Sequence, residues 1–397
     1  MSTRPASIAL FLIAILLSLP VLLMPAPDRL EAAQKRAVAS LPSAEMFAVS
    51  PRQYFSSLID YFEDNNWLAL HAANVRQKAF MAIGGTGTDQ VVRDGEFYFI
   101  TRHGPQFEPF SAINGSCRSG DAAANHVSNL IESYTYIRSV LETKDIALRV
   151  LVVPSKPVLY PERLKGLIPS SIAASCREAF NGGGAARALA QAFPTEYDNV
   201  GVSYPLEIFK AERNNPHFYP PSNFHVRGKS AFMAAQTIVP AVIAPSEDPL
   251  LEVGEADMTF ILGERRVPIW NYDYGAFEID DNLNRMVART WTPFQFTNLF
   301  RATRANNSLT DRTGVILADS FGNFMFDHLA PYYRELSLLS ANGAKEEDFL
   351  RGLLWVQSDK SPPSEVIIVV HDGGVNLINV LANDLRAGQA EHWDHLR

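Results

Sequence analysis

Gly314-Val315-Ile316-Leu317-Ala318-Asp319-Ser320-Phe321-Gly322-Asn323 is the stretch on which the fold turns. Four apolar residues, Val315 to Ala318, read as a buried strand that ends in Asp-Ser-Phe-Gly. A long amphipathic run follows (Phe324, Met325, Phe326, Leu329, Tyr332, Tyr333, Leu336) and predicts a helix. Strand, tight turn and helix together place a reactive group at the carboxyl edge of a sheet. A serine there exposes its hydroxyl with the first N–H groups of the helix behind it. Those amides and the positive end of the helix dipole suit a developing oxyanion. Serine is also a preferred helix N-cap, so this stretch alone leaves Ser320 open as nucleophile or as cap.

The same edge recurs elsewhere in the chain. Ile146-Ala147-Leu148-Arg149-Val150-Leu151-Val152-Val153 is nearly continuous in aliphatic residues, which implies burial on both faces and hence a parallel sheet under helices. It ends at Pro154-Ser155-Lys156-Pro157. Ser364 to Val370 is a final buried strand ending in His371-Asp372-Gly373-Gly374, and Asn199 to Tyr204 reads as a further strand. Helical spacing covers Asn125 to Glu142 and a segment from about Gly228 to Ile243. Repeated strand-then-helix order predicts an α/β, doubly wound, mainly parallel sheet flanked by helices. Ser50 to Arg76 reads as one or two amphipathic helices, and Arg93 to Ile100 as a turn leading into a strand. Ala82 to Thr88 is Gly-rich but lacks the lysine and helix of a phosphate loop. Residues 245–300 are mixed and carry no motif.

The chain has 397 residues, 47% of them apolar, enough for a sizeable core. The net charge is −8 and the pI near 5.6. No basic stripe interleaved with aromatics is present, which argues against nucleic acid as a partner. Arg4 precedes an apolar run from Ile8 to Met24 that contains Pro20 and is followed by Pro25. Its 17 residues are short for a full span and long for a signal-peptide core. We expect a signal-anchor over 1–30 with the body exported, a cleaved signal being the alternative. A helical lead-in over 31–80, an α/β domain over 81–385 and a tail over 386–397 complete the expected division. The two cysteines, Cys117 and Cys176, form no CxxC, which excludes a cysteine zinc site. Export favours their pairing over two separate buried thiols. Paired, they would close a loop of about 60 residues, on the order of 4 kcal/mol in the chain-entropy model.

A nucleophilic serine needs an imidazole within hydrogen-bond reach, itself oriented by an acceptor. His328 is eight residues along the predicted helix, roughly 12 Å from Ser320 at ~1.5 Å rise per residue. His392 and His395 lie in a charged tail without a third ligand, so no metal site is expected. His371 sits at a strand's carboxyl edge beside Asp372, and this pair is the alternative acid or base. His225 directly precedes a helix in a Pro- and aromatic-rich loop, two residues after Asn223. In an extended segment both side chains would project to one face.

Tyr219-Pro220-Pro221-Ser222-Asn223-Phe224-His225-Val226-Arg227-Gly228 resembles the "Tyr…Asp-x-His-Trp…Gly" signature of the alginate O-acetyltransferase family, AlgJ and AlgX type. Ala318-Asp319-Ser320-Phe321-Gly322 is similar to that family's Gly-Asp-Ser-Phe motif. Arg93 to Phe99 resembles its Lys-Asp-Gly-Trp-Leu-Phe segment. Val152-Val153-Pro154-Ser155-Lys156 to Tyr160-Pro161-Glu162 resembles its "Val-Pro-x-Lys…Tyr-Pro-Glu" strand end. The matches run in family order over residues 50–375. The resemblance implies an SGNH-hydrolase-like domain and a periplasmic, cofactor-free acetyl transfer to hydroxyls of an exopolysaccharide. It implies Ser320 as acyl nucleophile, His225 as general base and acid, and backbone N–H groups near Ser320 and Phe321 as oxyanion donors, with Asp319 and Gly322 supporting the turn. It further implies a membrane-bound O-acyltransferase as the acetyl-donating partner, at the inner membrane to which the N-terminal segment would hold the chain. Two positions depart from the signature: Asn223 stands for aspartate and Val226 for tryptophan. An asparagine oxygen accepts an imidazole N–H but brings no charge, and in serine proteases that exchange costs about 10⁴ in rate. A slow enzyme, an enzyme borrowing Asp372 or Asp319, and a polysaccharide-binding or assembly subunit without turnover all remain open. So does a carbohydrate acetylesterase, in which water replaces the sugar.

Overall fold

The computed structural model describes residues 41–65, 89–103, 107–195, 200–215, 217–239, 250–255, 266–271, 277–279, 300–305, 310–340 and 363–388. The expected anchor, the Gly-rich stretch 82–88, most of 245–300 and nearly all of the tail lie outside them. Two compact units divide the chain: residues 1–87 with 259–264 and 295–297, and the remainder. Of the first unit, α1 (Ala44–Val49) and α2 (Pro51–Asn65) are described. Ser43 caps α1 by accepting the Met46 N–H, and Phe47, Tyr54 and Phe55 pack edge to face between the two helices. Among the described residues no helix is long and apolar enough to cross a membrane.

The second unit opens with a hairpin, β1 (Val91–Asp94) and β2 (Phe97–Ile100), joined at Gly95-Glu96. Gly95 has φ of 59°, which a two-residue hairpin turn demands. Then come α3 (Ser111–Ser116), α4 (Asp121–Glu142), β3 (Ala147–Val153), α5 (Lys156–Leu159), α6 (Ser170–Glu178), α7 (Ala185–Ala192), β4 (Gly201–Ser203), α8 (Leu206–Glu212) and α9 (Lys229–Ala235). Strands β5 (Leu250–Glu255) and β6 (Arg266–Asn271) pair with each other. Next are β7 (Phe277–Ile279), β8 (Phe300–Ala305), β9 (Thr313–Ala318), α10 (Gly322–Leu329), β10 (Glu335–Ser340), β11 (Glu365–His371) and α11 (Leu377–Gly388).

Seven strands form the main sheet in the order β4-β3-β11-β9-β10-β8-β7. The first five are mutually parallel, and β8 and β7 continue the sheet antiparallel. Strands β3, β9 and β11 are buried at consecutive positions, so helices cover both faces as the aliphatic runs demand. Helix α4 packs on β3 and pairs with α7 and α11, whereas α9 pairs with α10 over β9, β10 and β11. This is the expected α/β class. The run after Ser320 is not one long helix. Pro331 follows the end of α10, a short 3₁₀ turn occupies Ala330–Tyr332, and Leu336 already belongs to β10.

The core of the sheet holds an ionic cluster at the opposite end from Ser320. Arg149 donates twice to the Glu365 carboxylate, at 2.8 and 2.9 Å, and once to Ile238 O at 2.9 Å. Tyr333 OH donates to the same carboxylate at 2.6 Å, and Arg312 also pairs with it. Burial opposes the Glu365 charge, but the Arg149 bonds and charge, with Tyr333 and Arg312, hold its pKa below the ordinary value. Cys117 and Cys176 are joined by a disulfide, with Cα atoms 4.5 Å apart, fastening the end of α3 to α6.

Candidate active site

Sheet order brings the carboxyl ends of β3, β11 and β9 side by side. Ser155 and Lys156 follow β3, His371 and Asp372 close β11, and Asp319 and Ser320 follow β9. That is the edge at which open α/β sheets bind ligands. Helix α10 starts at Gly322 with Phe321 in the cap position, and no side chain caps it. Ser320 therefore does not serve as the helix cap.

The Ser320 hydroxyl instead lies 2.6 Å from His225 Nε2, across 95 residues of sequence. Ser320 is partly exposed, while His225 is 4% exposed. Three phenyl rings confine the imidazole: Phe224 and Phe321, each with its centroid 4.9 Å away, and Phe324 at 4.5 Å. A ring so enclosed has little freedom to turn away from the hydroxyl, which keeps the serine–imidazole contact formed.

Asp319 holds the turn. Its Oδ1 accepts the Phe321 N–H at 2.9 Å, and its Oδ2 accepts both the backbone N–H (2.9 Å) and Nδ1–H (2.6 Å) of His371. Gly322 N–H donates to the Asp319 carbonyl. Of the two amides expected to face an oxyanion, that of Phe321 is thus taken by Asp319. The Ser320 N–H has no hydrogen-bond acceptor among the described residues and remains free for that purpose. The His371 ring stacks on Phe321 at 4.9 Å. Burial disfavours its charged form, yet the Asp319 carboxylate and the nearby Asp372 charge outweigh this and raise its pKa above 6.5.

Asp372 is 3% exposed and ties two strand ends together. Its Oδ2 accepts the Ser155 N–H at 3.0 Å and the Tyr204 hydroxyl at 3.2 Å. Burial raises its pKa, and His371 with the Ser155 and Tyr204 bonds opposes the shift without cancelling it. Neither carboxylate is deployed as a partner for His225: Asp319 serves His371 and the turn, and Asp372 serves Ser155 and Tyr204. Asn223 is wholly buried, and its N–H closes a turn onto Pro220 O at 3.0 Å. His328 lies in α10 within ring contact of Phe232, and burial lowers its pKa to about 3. Among the described residues no cluster of His, Cys, Asp or Glu forms a metal site.

Two features escaped the sequence. Gly374 packs so closely that a Cβ on it would stand 2.4 Å from Asp319 Oδ2 and 2.9 Å from His371 Nδ1. Exposed His103 brings its ring to 5.6 Å from Phe224 at the rim. The Gly-Gly pair after β11 hinted at a close approach; nothing in the sequence singled out His103.

Fold and site together define an α/β protein with a serine–histidine pair at the carboxyl edge of a parallel sheet. No protein-family model matches the chain, and no curated protein matches its sequence. Solved structures similar to it include Bacillus cereus PatB1 with a sulfonyl adduct, at 14% identity, covering 72% of this chain and 97% of that one with a TM-score of 0.45. A DHHW family protein from Eubacterium siraeum is 13% identical, covering 75% and 97% with a TM-score of 0.42. The O-acetyltransferase domain of Pseudomonas putida AlgJ is 14% identical, covering 74% and 98% with a TM-score of 0.41.

Proposed function

We propose that the protein is an exported O-acetyltransferase that moves acetyl groups to hydroxyls of an exopolysaccharide through an ester on Ser320. The observation that carries this is the 2.6 Å contact between Ser320 Oγ and His225 Nε2. In this reading Ser320 Oγ attacks the acetyl carbonyl as His225 Nε2 takes its proton, and the leaving group departs with that proton. The carbonyl oxygen, negatively charged in the tetrahedral intermediate, is held by the Ser320 N–H. A sugar hydroxyl then gives its proton to His225 and attacks the acyl group. The proton returns to Ser320 as the new ester leaves.

The order of sequence motifs supports the same assignment, as does the alignment of Asn223 and His225 with the Asp-x-His element. Residues 8–24 would hold the body at the inner membrane, where a membrane-bound O-acyltransferase would supply acetyl groups. A mature soluble periplasmic form would follow from cleavage. The burial of a neutral Asn223 favours a second reading, a polysaccharide-binding or assembly subunit without turnover.

Intact-mass measurement after mixing the exported body with an activated acetyl ester separates the two. A transient acetyl adduct absent from Ser320→Ala is expected. Glycan binding retained in a Ser320→Ala/His225→Ala variant, with no adduct in the wild type, would instead establish the binding subunit. An adduct that turns over equally fast with and without a sugar acceptor would make the protein an esterase.

A further inference from the structure

Lys156 takes no part in the chemistry above, yet it is 1% exposed and sits at the first position of the wholly buried α5, directly after the sheet edge. A buried ammonium is costly unless its donors are met. Its Nζ donates to Pro221 O at 2.6 Å, to Pro220 O at 3.1 Å and, more weakly, to Tyr98 O at 3.4 Å. The Tyr219 ring lies 5.3 Å from the same nitrogen.

All but one of these groups belong to the loop that presents His225. Two prolines deprive that loop of N–H donors with which to fix itself. Two backbone ties converge on the carbonyls that Lys156 holds. Pro220 O also accepts the Asn223 N–H, and Pro221 O also accepts the Tyr98 N–H, at 3.0 Å each. Tyr219 OH closes the loop onto Phe224 O at 2.5 Å, one residue before His225. The start of α5, directly after β3, thus grips through one ammonium the turn whose far end carries the imidazole.

Resting on the acyl-transfer reading, we propose that Lys156 is a positioning residue that sets His225 over Ser320. A displacement of about 1 Å in a reacting pair costs roughly 100-fold in rate. The test is the rate of Ser320 labelling by an aryl sulfonyl fluoride and of acylation by an activated acetyl ester, followed by mass. Lys156→Met is compared with wild type, with Ser320→Ala, and with Glu365→Gln as a variant destabilised away from the site. Lys156→Met is expected to label and acylate about 100-fold more slowly. The loss should fall on kcat with KM for the ester little changed, while Glu365→Gln keeps its rate wherever it is folded. Lys156→Gln, which keeps two donors on a shorter stem, is expected to fold and to fall between. Labelling of folded Lys156→Met or Lys156→Gln within threefold of wild type would overturn the assignment, as would an equal rate loss in Glu365→Gln. A wild type that labels no faster than Ser320→Ala would end the acyl-transfer reading itself, and this inference with it.

Discussion

Gly374 shows how little room the turn around Ser320 has. Any Cβ there meets the Asp319 carboxylate and the His371 ring, which are fixed by their hydrogen bonds to each other and, for Asp319, to the Phe321 N–H. Gly374→Ala should therefore open the Asp319–His371 clamp, slow acylation at least tenfold and cost about 1–3 kcal/mol in chemical denaturation. Unaltered rate and stability would show that the clamp is dispensable. Asn223→Asp tests the position at which the loop departs from the Asp-x-His pattern it resembles. An aspartate there would bring charge to stabilise an imidazolium, and acylation should accelerate roughly tenfold or more. A slower or unchanged variant would mean that the buried amide is adapted to its place. Ser320 and His225, which the structure brings together, could be picked out as candidates because a strand-turn-helix pattern and a short motif each pointed to one of them. Asp319 was legible as the support of the turn, but its hold on His371 and the crowding at Gly374 were not, because they depend on β9 and β11 being neighbours, and adjacency of strands is not written locally.

Strand β11 is held at its start by Glu365, whose carboxylate takes bonds from Arg149 and Tyr333 within a buried cluster. Glu365→Ala leaves Arg149 buried and unpaired, which should cost about 3–5 kcal/mol in urea unfolding. Because its folded pKa lies below the ordinary value, the carboxylate's contribution is complete above that value and is lost as pH falls through the folded one. The Glu365→Ala protein should accordingly lose less stability than wild type over that acid range. Strands β3, β9 and β11 could be read from aliphatic runs alone, with limits that agree with the structure to within one or two residues, whereas β10 was not read as a strand. The helix after Ser320 was overrun because Tyr332, Tyr333 and Leu336 continue its apolar spacing. Pro331 and the demands of β10 decided otherwise, a case of tertiary pairing overriding periodicity.

On the scale of the molecule, stability should fall steadily on acidification below pH 6.5. Burial depresses the His328 pKa to about 3, so between these values the unfolded chain binds a proton that the folded one refuses. Replacing His328 with glutamine should flatten this limb of the stability–pH curve, and an unaltered slope would contradict it. His371 acts in the opposite sense: its raised pKa gives stability that is full below 6.5 and is lost as pH rises through the folded value. Removing both cysteines should cost on the order of 4 kcal/mol, measurable as a lower denaturation midpoint. The order of strands has a further effect. Strand β11 is made after all the other described strands, yet it lies between β3 and β9 and joins them. A ribosome or translocase that delivers the chain from its N-terminus therefore releases two unjoined half-sheets first, and neither can enclose Ser320 alone. Every pause before residue 371 emerges leaves the aliphatic edges of β3 and β9 open to chaperones or to one another's wrong partners, and the serine–histidine site is assembled in one late step.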